Sequence, residues 1–134
     1  MNRFAGAALC LLMFILLAGC GDDKGTVEGT VTFDDQPVKS GIITFVKSDG
    51  ALAREGAVIK DGKFKANVPP GRYKVELSAQ RVAGTKKQKG FDGKLEEIEI
   101  TEELFPERFN TKSELSKEIK PGSNEFNLDL KSKK

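Results

Sequence analysis

The tightest constraint on this fold lies in residues 57–79, which read A-V-I-K-D-G-K-F-K-A-N-V-P-P-G-R-Y-K-V-E-L-S-A. Asp61-Gly62 accepts the positive φ angles of a two-residue hairpin turn, so Lys60 should face Lys63 and Ile59 should face Phe64. Ala57, Ile59, Phe64, Ala66 and Val68 then share a dry face, and Lys63, Lys65 and Asn67 point to water. Pro70-Gly71 supplies a fixed φ followed by a positive one, a twist that suits a corner where the chain changes sheets. Beyond it Tyr73, Val75, Leu77 and Ala79 alternate with polar residues, the pattern of another half-buried strand.

The rest of the chain holds three more such segments. Val27, Gly29, Val31 and Phe33 alternate with Glu28, Thr30 and Thr32. Residues 41–47 carry Ile43 and Phe45 on one face with Ile42, Thr44 and Val46 on the other, as in an interior strand or one covered by a later segment. Residues 114–120, the turn Pro121-Gly122-Ser123-Asn124, and alternating Phe126, Leu128 and Leu130 read as a closing hairpin. Asp34-Asp35-Gln36-Pro37 reads as a turn. A calcium site there would need roughly six to eight oxygens, and the chain continues Val38-Lys39-Ser40.

Gly29-Thr30-Val31, Gln36-Pro37-Val38 with Gly41, Asp61-Gly62-Lys63-Phe64 and residues 68–75 together resemble the carboxypeptidase regulatory-like domain. That resemblance implies a transthyretin-like β-sandwich of about seven strands over residues 27–131, and no peptidase activity. Residues 106–115 look like a feature of a group of bacterial lipoproteins that share this domain and a similar C-terminal strand pair.

The first residues read as an address. Met1-Asn2-Arg3 is a short basic start, residues 4–18 are apolar, and Leu17-Ala18-Gly19-Cys20 matches a lipobox. The apolar run is shorter than the ~20 residues a spanning helix needs. The expectation is a signal peptide over residues 1–19, lipidation of Cys20, and a tether over residues 20–26 that holds one extracytoplasmic domain at a membrane. An uncleaved membrane anchor is the alternative. Cys10 and Cys20 are the only cysteines, so the folded part relies on packing without disulfides. With 22 basic against 20 acidic side chains, no strong field favours nucleic acid.

Alternation fades over residues 80–94, where Arg81, Lys86, Lys87, Lys89 and Lys94 with three glycines suggest a mobile basic loop. It is either solvated or in contact with anionic headgroups or a glycan. Leu95, Ile98 and Ile100 among five glutamates suggest an edge strand, with a short helix as the competing pattern. Phe105, Arg108 and Phe109 either form a stacking platform for a sugar or peptide or close an open end of the sandwich, with Asn110 and Ser113 satisfying backbone groups. Residues 132–134 should lie in water as a charged tail.

The chain has no histidine, so Ser-His-Asp and Cys-His chemistry and histidine metal sites fall away. Nothing places two carboxylates across a cleft, and no glycine-rich loop opens a helix. The expectation is a non-enzymatic, cofactor-free interaction or scaffolding module of the cell envelope. A glycan or peptide receptor, or an accessory subunit of an envelope enzyme or transporter, is the alternative. The candidate contacts are Phe105, Arg108, Phe109, Lys86, Lys87 and Lys89, with no metal ligands.

Overall fold

The computed structural model describes residues 24–50 and 52–133. The expected signal peptide, the lipidation site Cys20 and most of the tether lie outside the described residues. Within them the protein is all-β apart from one short 3-10 turn (Glu107–Phe109). The strands are β1 (Gly25–Phe33), β2 (Gln36–Pro37), β3 (Ser40–Lys47), β4 (Arg54–Lys60), β5 (Lys63–Val68), β6 (Gly71–Ser78), β7 (Gln80–Lys89), β8 (Leu95–Glu103), β9 (Ser116–Ile119) and β10 (Gly122–Leu130). A curled sheet runs in the order β10-β1-β5-β4-β3-β6-β9, with β2 beside β1, and β7 and β8 form a separate two-stranded sheet.

The curl comes from the Asp61-Gly62 turn. Asp61 and Gly62 take φ of 50° and 76°, and Lys60 pairs with Lys63 as the dipeptide dictates. There the ladder ends, so Ile59 does not face Phe64. β4 continues along β3 and β5 along β1. Each strand satisfies its backbone on its outer neighbour, and the divergence lets both side chains bury. Ile59 and Phe64 both lie in the core, and the Phe64 ring meets that of Phe45 on β3 at 6.3 Å between centroids.

The closing segment is a corner rather than a hairpin. β9 pairs with β6, whereas β10 runs parallel to β1 at the other end of the path. Asn124 ties the connection, its carbonyl accepting from Lys120 N (3.0 Å) and its amide donating to Lys120 O (2.8 Å). At the third turn the chain also changes neighbours, from β1 to β3, with Gly71 at φ 149°. Tyr73, buried just beyond it, donates its hydroxyl to Pro69 O at 2.9 Å.

Val27 and Val31 of β1, Ile43 and Phe45 of β3, and Tyr73, Val75 and Leu77 of β6 fill the concave side, as their alternation requires. The outer side is polar at β1, where Thr30 donates to Asn127 (3.0 Å) and Thr32 to Asp129 (2.8 Å), and Lys65 pairs with Glu28. β3 is an interior strand, yet Ile42 on its outer face is 52% exposed, so no described segment covers it.

The turn at Asp34-Asp35 uses left-handed backbone at both residues. It holds the C-terminal segment, whose Ser132 and Lys133 stay exposed to water. Asp34 accepts from Ser132 N (2.8 Å) and Asp35 pairs with Lys131. The backbone donor at Ser132 holds the Asp34 carboxyl below its ordinary value.

Candidate functional site

The largest departure from the sequence reading is the stretch after Ala79. Residues 80–94 are not a mobile loop: Gln80–Lys89 is a ten-residue strand whose partner, β8, is formed by the glutamate-rich segment expected at an edge. Together they make an arm joined to the body only at its foot, with a bulge between Val82 and Gly84. The missing alternation has a physical cause. Neither face of the arm is buried against the body, so no face selects apolar residues at period two.

Glu103 fastens the foot. Its carboxylate accepts from Ala79 N (2.9 Å), Phe105 N (3.1 Å) and the Ser78 hydroxyl (2.7 Å), and Leu104 N donates to Ala79 O (2.7 Å). Partial burial pushes this carboxyl up, but the donors from Ala79, Ser78, Phe105 and Leu104 outweigh it and leave it below its ordinary value. Sequence reasoning grouped Glu103 with the other glutamates of the expected edge strand. Its place just before the apolar pair Leu104-Phe105 is the only local sign of a different role.

Along the arm β7 carries Arg81, Lys86, Lys87 and Lys89 with no acidic residue, and β8 carries five glutamates. Register puts Lys86 opposite Ile98, Lys87 opposite Glu97 and Lys89 opposite Leu95. Arg81 pairs with Glu102 at 2.5 Å, and Glu97 instead accepts the Thr85 hydroxyl at 2.7 Å. Among the described residues none of Lys86, Lys87 and Lys89 makes an ion pair. The tip exposes Phe91 completely, and Val82 and Leu95 are exposed as well.

A groove of about 420 Å³ lies at the foot of the arm. Phe33, Pro37, Val38, Val82 and Leu104 give it apolar walls, with Lys39 and Arg81 among its polar lining. It was not legible in sequence, because its walls come from four separate stretches of chain.

Phe105, Arg108 and Phe109 do not converge on an open platform. Phe105 is 3% exposed, edge-on to Phe33 with centroids 5.3 Å apart. The Arg108 guanidinium lies 4.6 Å from the centre of the Phe109 ring and donates to the carbonyls of Lys131 and Ser132 (2.9 Å for the latter). Phe109 packs partly buried against the core. Ser113, also buried, donates to Val75 O and accepts from Leu115 N (3.2 Å). Here the residues meet the body of the protein.

No family model matches the chain, and no curated protein does. Among solved structures, a 9R-lipoxygenase from Cyanothece is similar at a TM-score of 0.37 and 13% identity, over 81% of this chain and 16% of that one. A likeness of that size carries no argument about fold or activity.

Proposed function

We propose that this protein is a membrane-anchored, non-catalytic interaction module of the cell envelope, a transthyretin-like β-sandwich tethered through a lipidated Cys20 and presenting the β7–β8 arm to a partner. The observation that carries the reading is the placement of the arm relative to the chain entry. Gly25, the start of β1, lies beside Ile119, Lys120 and Gly122, whereas the foot of the arm lies at the other end of the curled sheet, near Phe33 and Ser40. Eight residue steps along β1 separate those ends by ~27 Å. A short tether at one end and a projecting, two-edged strand pair at the other suit a domain that holds a binding element away from its membrane. Ordering the arm in water costs backbone entropy that its sparse contacts repay poorly, so a partner that covers it accounts for its length.

The test is site-specific photocrosslinking in membranes, with the photoreactive residue placed at Thr85 or Glu99 on the arm or at Lys65 on β5. A discrete adduct from the arm positions and none from Lys65 is the expected result. Equal or absent crosslinking at all three positions removes the reading.

A further inference from the structure

The arm is open on both long edges among the described residues, since β7 pairs only with β8 and β8 only with β7. An edge ten residues long without proline is a template for another strand, and proteins usually blunt such edges. Here the blunting is selective. Every charged residue of β7 is basic, so a second β7 laid against it would bring like charges together. Every charged residue of β8 is acidic, which disfavours β8 against β8 in the same way. An acidic strand suits the outer edge of β7 best, and β8 is the example on the inner edge, where it pairs with the sequence L-E-E-I-E-I-T-E-E. Three ammonium groups, of Lys86, Lys87 and Lys89, are left without ion pairs by that first acidic strand. The groove of about 420 Å³ reaches the same strand through Gln80, Arg81 and Val82, within the size range of sites that hold a small apolar group.

We propose that the outer edge of β7 takes up an acidic, extended segment of a partner protein as a third strand, with one apolar side chain of that segment seated in the groove between Val82, Phe33 and Val38. This rests on the interaction-module reading and names the chemistry of the partner. Main-chain hydrogen bonds to the edge supply affinity, and the lysines and the groove select sequence and register. A second copy of the chain is the poorer occupant. Its β8 on this β7 is a head-to-tail contact, which leaves a free edge on each copy for the next and builds rings or open chains.

The probe is a fluorescent peptide with the sequence of residues 95–103, titrated into the full-length chain in detergent micelles. Saturable binding that weakens at least tenfold from 50 to 300 mM salt is expected, with no binding of the counterpart in which lysine replaces each glutamate. Hydrogen exchange should slow at β7 amides while β8 amides keep their protection. The triple variant K86E/K87E/K89E should lose at least tenfold in affinity, and V82D should lose affinity with its salt dependence retained, both with unchanged core exchange. Absence of saturable binding, equal binding of the lysine peptide, or loss of β8 protection through strand replacement each overturns the proposal. So does salt-sensitive self-assembly of the chain that the peptide displaces, which would assign the edge to a second copy. If arm crosslinks to an envelope partner persist in K86E/K87E/K89E, the interaction module stands and edge pairing falls.

Discussion

At the scale of single residues, a position that tolerates little replacement is one the sequence placed within the alternation of the first strand. Gly29 sits mid-strand on β1, opposite Phe126 of the parallel β10, and a Cβ there would run into the Phe126 carbonyl. The obstacle is backbone, which cannot rotate aside as a side chain can. Gly29→Ala should therefore destabilise by on the order of 3 kcal/mol, read as a lower denaturant midpoint, although alanine is ordinarily harmless in an extended strand. Ser113 makes a milder case. Its hydroxyl serves the Val75 carbonyl and the Leu115 N–H inside the body, so Ser113→Ala should cost about 1–2 kcal/mol in the same measurement. The sequence reading of Ser113 as a residue that satisfies backbone groups was physically sound. The partner at Val75, 38 residues away, could not be read locally.

At the scale of elements, what was legible is what burial writes into the chain. β1, β3, β5 and β6 each have one dry face, and their alternation stands in the sequence. Two things were not written there. A tight turn fixes the pairing nearest to it but not whether the strands then stay together, so Asp61-Gly62 makes a hairpin that splays after its first pair, and Pro121-Gly122 reads as a hairpin although it feeds opposite ends of the sheet path. The arm hides for the converse reason: paired but not buried, it keeps its hydrogen bonds and loses the pattern. The basic character of its first strand was legible, and its geometry as an open edge was not. The arm should behave as a unit of lower stability, its amides exchanging faster than those of β3 and β6. Glu103 couples that unit to the body. Its carboxyl is lowered in the folded state, so its contribution is complete above the ordinary value of 4.5 and is lost as pH falls through the lowered one. Acidification toward pH 3 should release arm amides before core amides. E103Q, which removes the charge at all pH values, should flatten that pH dependence and speed arm exchange already at pH 7.

At the scale of the whole molecule, the separation between chain entry and arm decides between two destinations for the basic strand. Lys86, Lys87 and Lys89 were open to contact with anionic headgroups, an attraction worth on the order of 1 kcal/mol per residue when the charge lies at the surface. The foot of the arm stands ~27 Å from Gly25 along β1. At physiological salt the Debye length is about 8 Å, so the proposed domain, if it stands upright on a lipid tether, would hold those lysines several screening lengths from the bilayer. On that proposed arrangement a partner beyond the membrane surface, rather than headgroup attraction, would select them. A spin label at F91C should show the collision profile of a water-exposed site in anionic vesicles carrying the lipidated protein, with no lipid-soluble relaxant excess. A label at N124C, beside the end where the chain enters, should lie nearer the lipid. Lipid exposure at residue 91 that disappears in K86E/K87E/K89E would mean that the domain lies down on its membrane, and the basic strand would then be a headgroup contact. A water-exposed profile unchanged by those substitutions leaves the lysines facing outward, as the proposed contact with an acidic partner requires.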